Sequence, residues 1–203
     1  MSELSSRPVL LLIDVQQGFD DPYWGKRNNP KAEENIAKLL EVWRAMELPV
    51  WHVQHMSLEA QSPLKPGKPG CEIMEFAKPV GDEPVFQKNV NSAFIGTNLE
   101  TCLRENQFET LVVAGFTSDH CVSTTTRMAG NLGFDTFVVA DATATFDRVG
   151  YDGTVYDADQ VHSVSLASLN NEFATVLTTW DIMQKLAVAV VNSTFKTIDS
   201  YNK

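Results

Sequence analysis

The sequence predicts a doubly wound α/β domain, a mainly parallel sheet flanked by helices on both faces in three layers. Three observations predict it. Apolar runs alternate with segments of helical spacing along the chain, the order expected of strands joined by crossover helices. The first run, "VLLLIDVQ", is continuously apolar until Asp14, as a buried strand is. The chain has 203 residues, 43% of them hydrophobic and 21% charged, enough for a sizeable core. A single domain over residues 1–203 is therefore expected, with its core at about 8–183 and a polar tail after Asn192.

Each element follows in order. After the first strand, "NPKAEENIAKLLEVWRAMEL" places Ile36, Leu39, Leu40 and Trp43 on one helical face, with Pro30 near its start. "PVWHVQH" reads as the second strand, and "SPLKPGKPG" as a long loop rich in Pro and Gly. "EPVFQKN" is a short strand and "GTNLETCLRENQ" a helix. "TLVVAGF" is a strand, "CVSTTTRMAGNLG" a helix closed by Gly133, and "DTFVVADA" another strand. "DADQVHSVSLASLNNEF" is a helix, "ATVLTT" a last strand and "WDIMQKLAVAVV" a last helix. No internal repeat or low-complexity tract interrupts the pattern.

The formal net charge is -10 and no Lys/Arg-rich block stands out, which argues against nucleic-acid and anionic-membrane partners. Three cysteines (Cys71, Cys102, Cys121) form no disulfide framework and suit a reducing compartment. With no targeting pattern and no run long enough to span a membrane, a cytoplasmic enzyme is expected.

In a parallel sheet, ligands collect beyond the carboxyl ends of the strands. Asp14 ends the first strand, His52 and His55 end the second, and Cys121 follows "TLVVAGF". Cys121 falls in the first turn of a helix, where unpaired amides and the helix dipole favour a thiolate. Cys102 reads as a helix-face residue and Cys71 as a surface thiol.

"HCVSTTTR" also has the His-Cys-five-Arg spacing of a cysteine-phosphatase loop, with Arg127 available to a phosphate. The segment between Cys121 and Arg127 holds four β-branched residues in five, however, and no glycine. Such residues stiffen a loop whose amides must converge. Helical spacing of Val122, Thr125, Thr126 and Ala129 is the better reading, with Arg127 on a solvent-facing or salt-bridging position.

Three motifs, "IDVQQGF", "KNVNSAFIGTNLE" and "VVAGFTSDHCVSTT", resemble in order those of the isochorismatase-like cysteine hydrolases. The resemblance runs from about residue 8 to residue 183 and includes "SPLKPGKPG" and "VVADATAT". It implies an Asp-Lys-Cys triad of Asp14, Lys88 and Cys121, and a cis peptide bond between Phe116 and Thr117. It further implies an oxyanion hole made by the amides of Thr117 and Cys121. The implied reaction is hydrolysis of a C–N amide or carbamoyl bond in a small molecule, through a thioester and with Lys88 and the helix start holding the thiolate. Gln16, Phe19, Trp24 and His55 are expected to contact substrate, with Tyr23 a weaker candidate. Lys65, Lys68 and Arg148 are available to an anionic group. No cofactor is expected, and self-association as a homodimer or homotetramer is.

The departures are informative. Nicotinamidases of this superfamily hold a metal with an Asp-x-His pair after the second strand. Here "VWHVQHM" has His52 and His55 without the aspartate, so no metal site is expected. True isochorismatases cleave a vinyl ether without a nucleophilic cysteine at this position, so Cys121 favours C–N cleavage over that alternative. Asp119 is expected to cap the helix after it, and His162 to lie outside the catalytic set.

Overall fold

The computed structural model describes residues 4–201. Its elements in chain order are β1 (Val9–Ile13), α1 (Ala32–Ala45), β2 (Val50–His55), β3 (Val85–Lys88), α2 (Leu99–Glu105), β4 (Thr110–Phe116), α3 (Cys121–Asn131) and β5 (Asp135–Ala144). They continue with β6 (Arg148–Val149), β7 (Val155–Tyr156), α4 (Ala158–Leu169), β8 (Thr175–Leu177) and α5 (Thr179–Tyr201). Six strands form one sheet in the order β3-β2-β1-β4-β5-β8, every neighbouring pair parallel. The short β6–β7 ribbon is separate and antiparallel.

The continuous apolar run of β1 reflects burial on both sides. Successive side chains of a strand point to opposite faces, and here each face has its own core. Leu10 and Leu12 pack with Ile36, Leu39 and Trp43 of α1 and with Ile182 and Leu186 of α5. Leu11 and Ile13 pack with Leu99 of α2, Val122 and Ala129 of α3, and Leu166 of α4. The expected three layers are therefore present. The indole N–H of the buried Trp43 donates to the Pro8 carbonyl at 3.0 Å, so its polar atom is satisfied.

From β1 the chain runs outward to β2 and β3, then returns to place β4 on the other side of β1. The β1–β4 boundary is the point where the winding reverses, and a crevice opens there at the carboxyl ends of the strands. Two backbone features shape it. Asp14 has φ 51°, a left-handed conformation that turns the chain as it leaves β1. Gly115 has φ 118°, and a Cβ there would lie 2.0 Å from the Ile13 carbonyl oxygen, so only glycine lets β4 pass this close to β1.

Several boundaries differ from expectation. β5 runs to Ala144, two residues beyond "DTFVVADA", because its distal end pairs Thr143 and Ala144 with Gly115 and Phe116 past an irregularity in register. α4 stops at Leu169, where Asn170 turns to extended backbone and bridges to Ala174. α5 continues through the segment read as a tail after Asn192. Among the described residues, no helix is long and apolar enough to cross a membrane.

A half-buried polar latch joins α1 to the sheet. Glu83 accepts from Arg44 Nε and Nη2 at 2.8 Å each and from His52 Nε2 at 2.9 Å. Burial alone would raise the Glu83 carboxyl, but Arg44, His52 and the Val80 amide outweigh it and bring it from 4.5 to about 2. A depressed carboxylate contributes stability that is complete above its unfolded value and lost as pH falls through the folded one. Glu83 is thus expected to contribute stability that disappears between roughly pH 4.5 and pH 2, reduced by solvent screening because the pair is only partly buried. Urea unfolding of Glu83→Gln across that range should show a flatter acid limb than the wild type; an unchanged limb would remove the latch from the account.

Candidate active site

Three strand ends deliver the central side chains. Asp14 follows β1, Lys88 closes β3, and Cys121 opens α3 just after β4. Asp14 and Lys88 have no side-chain exposure, and Cys121 is 7% exposed. The Lys88 ammonium donates to Asp14 Oδ2 at 2.6 Å, to His55 Nδ1 at 3.1 Å and to Cys121 Sγ at 3.3 Å. Its three N–H groups therefore meet three acceptors. The second Asp14 oxygen, Oδ1, is buried without a partner among the described residues.

Metal-binding side chains do cluster here: donor atoms of Asp14, His55 and Cys121 lie within 4.8 Å of one another. The Lys88 ammonium lies among all three, bonded to Asp14 Oδ2, His55 Nδ1 and Cys121 Sγ.

The electrostatics correct one expectation. Burial, and next the Asp14 charge, push the Cys121 thiol far up, with Lys88 only partly opposing them. Lys88 favours the thiolate, but burial and Asp14 outweigh it, so the helix start does not by itself lower the thiol. Burial also opposes the Lys88 charge, but Asp14 and Cys121 outweigh it and raise Lys88 above the ordinary lysine range. Burial, then the Lys88 charge, hold His55 below its usual value, so its imidazole is neutral at neutral pH.

The Phe116–Thr117 peptide bond is cis. The Thr117 carbonyl accepts from the amides of His120 at 3.2 Å and Val122 at 3.1 Å, while the Ser118 amide donates to Ala144. The amides of Thr117 and Cys121 have no backbone acceptor among the described residues. Behind this turn, Ser118 Oγ lies 2.7 Å from His162 Nδ1, which gives His162 a supporting place outside the cleft.

A cleft of about 320 Å³ opens over Cys121 and Thr117. Phe19, Trp24, Tyr23 and His55 line it, as do Asn91 and Arg148. Phe19 stacks close to Trp24 and Phe116, at ring separations of 5.3 and 5.4 Å, making one wall rigid and apolar. Asn91 Oδ1 is 3.8 Å from Cys121 Sγ, a contact that sequence reasoning missed. Its only signal was its place between Lys88 and Ser92.

Other expectations are corrected. Gln16 is buried and away from the cleft: its side chain donates to the carbonyls of His55 and Cys71 and accepts from the His55 amide. It ties the β1 exit to the end of β2 and touches no open space. Cys71 is buried beneath the same amides, not a surface thiol. Asp119 does not cap α3; it pairs with Arg148 Nε at 2.7 Å, so the one cleft arginine meets a carboxylate of the protein itself. Lys68 is tied to the Gln61 and Ser62 carbonyls, and Lys65 is not among the cleft residues.

Known proteins share this fold. The isochorismatase domain family matches residues 8–181. The isochorismatase family protein YrdC of Bacillus subtilis is 51% identical over 176 residues, 87% of this chain and 94% of that protein. An isochorismatase-family crystal structure from Chromobacterium violaceum superposes with a TM-score of 0.88 at 45% identity, covering 92% of this chain and 98% of that one. N-carbamoylsarcosine amidase of Arthrobacter is 35% identical over 201 residues, 89% of this chain and 72% of the enzyme. The chain is a member of the isochorismatase family of hydrolases.

The phosphatase spacing has a structural explanation. "CVSTTTR" is the first two turns of α3, and Arg127 lies over the Phe173 ring at 4.8 Å and donates to Ser123. Arg127 is thus on a helix and occupied elsewhere, so no loop wraps a phosphate. Inorganic phosphate is expected not to protect Cys121 from iodoacetamide, read by peptide mass mapping. Protection that disappears in Arg127→Ala would restore the phosphate reading.

Proposed function

We propose that this hydrolase cleaves the C–N bond of a small amide or carbamoyl compound through a thioester on Cys121. The observation that carries the reading is the Lys88 ammonium bonded at once to Asp14 and Cys121 on the floor of the cleft. The amidase named among the relatives supports the bond type.

The substrate carbonyl lies over Cys121, with its oxygen towards the Thr117 and Cys121 amides. Because the resting cysteine is a thiol, its proton moves to Asp14 Oδ1 as sulfur attacks carbon. The carbonyl π pair moves onto oxygen, where the two amides stabilise the negative charge. When that pair returns, the C–N bond breaks, and nitrogen takes the proton from Asp14 and leaves as ammonia or an amine. Water then gives a proton to Asp14 and attacks the thioester, and the second tetrahedral intermediate expels sulfur. Sulfur regains the proton from Asp14, releasing the acid and restoring the thiol. Lys88 stays protonated throughout, its raised pKa suiting a group that holds charge instead of moving it.

Substrate size is bounded by the cleft of about 320 Å³ and its aromatic wall. With Arg148 held by Asp119, the cleft offers no unpaired arginine to select an anion. Small primary amides, carbamoyl compounds and ureido acids should be screened for ammonia release beside an aryl phosphate. Cys121→Ala is expected to lower ammonia release by at least about 10³-fold with an unchanged fold. Ammonia release that survives in Cys121→Ala would overturn the reading.

A further inference from the structure

We propose that His55 is a positioning residue of the catalytic set, holding the Lys88 ammonium between Asp14 and Cys121 by accepting its third N–H at Nδ1. The inference deepens the proposed cysteine chemistry and rests on it.

An ammonium has three donors and no lone pair. Two of the Lys88 donors go to the groups that exchange a proton during catalysis, Asp14 and Cys121. The third must end somewhere, and the 3.1 Å approach of His55 Nδ1 supplies the acceptor. This contact sets the tautomer: Nδ1 carries no hydrogen, so the ring hydrogen sits on Nε2. The charged groups that act on the ring are Lys88, Asp14 and Glu59.

The backbone beneath the ring is fixed as well. His55 stands opposite Lys88 in the parallel β2–β3 register. Its amide donates to Gln16 Oε1 at 2.9 Å, and its carbonyl accepts from Gln16 Nε2 at 3.0 Å. Gln16 follows Asp14 by two residues, so one side chain ties the Asp14 turn to the residue that orients Lys88. His55 also borders the cleft, and that placement alone would fit a substrate contact. The two roles make opposite predictions.

Asparagine places its Oδ1 where Nδ1 of histidine lies, whereas glutamine places its carboxamide one bond further out. His55→Ala, His55→Asn and His55→Gln therefore test the acceptor position directly. Two readouts are needed: the rate of Cys121 alkylation by iodoacetamide, mapped by peptide mass, and kcat and KM on whichever amide releases ammonia. If His55 positions Lys88, His55→Ala and His55→Gln should slow alkylation about tenfold, because a displaced ammonium stabilises the reactive thiolate less. They should lower kcat by a similar factor with little change in KM, and His55→Asn should recover most of both.

Alkylation at the wild-type rate in His55→Ala, with only KM raised, would overturn the proposal in favour of a substrate contact. Failure of His55→Asn to exceed His55→Ala, with both melting as the wild type does, would also overturn it. The alkylation arm needs no substrate, so it judges the role of His55 even if Cys121→Ala shows the C–N reading to be wrong.

Discussion

Everything in this site depends on a salt bridge placed where water cannot reach it. Asp14 and Lys88 meet at 2.6 Å with both side chains fully buried. Two charges taken out of water are costly, and their mutual attraction offsets the cost only when geometry is good and remaining polar atoms are engaged. Removing one partner of such a pair typically costs about 3–5 kcal/mol, because the other charge is left uncompensated. The proposed catalytic groups are therefore also structural groups, and loss of activity in an Asp14 or Lys88 variant would mix chemistry with folding. Cys121 is a cleaner handle, since it brings no resting charge to the site.

The same pair also acts on the Cys121 thiol. Asp14 next to sulfur disfavours a resting thiolate, and the ammonium only partly compensates. In the proposed reaction the proton goes to Asp14 Oδ1, which has no hydrogen-bond partner among the described residues. The charge separation needed for attack would thereby be deferred until a substrate carbonyl is there to receive the electrons. The sheet makes the arrangement possible: β1, β3 and β4 are parallel, so their carboxyl ends open on the same edge.

Much of this was legible in the sequence, for a physical reason. A strand buried on both faces must be continuously apolar, so "VLLLIDVQ" and "TLVVAGF" announce central strands, and a charge at such an end stands out. The convergence of Asp14, Lys88 and Cys121 followed from strand order and from three motifs in sequence. What stayed hidden depends on partners far apart in the chain. Nothing local reveals that Gln16 spends its amide on His55 and Cys71, 39 and 55 residues away. Nor does it reveal that Asp119 prefers Arg148 to the helix it precedes. The upward shift of Cys121 is hidden too, because the helix start is visible in sequence while burial and the approach of Asp14 are not.

The most direct test is to acid-quench the enzyme during turnover of an amide that releases ammonia and to measure its intact mass. The account predicts an added mass equal to the amide less ammonia, mapped to the peptide containing Cys121 and absent once substrate is consumed. It also predicts that hydroxylamine diverts the acyl group to a hydroxamate. Ammonia release with an adduct on another residue, or with neither adduct nor hydroxamate, would contradict covalent catalysis by Cys121.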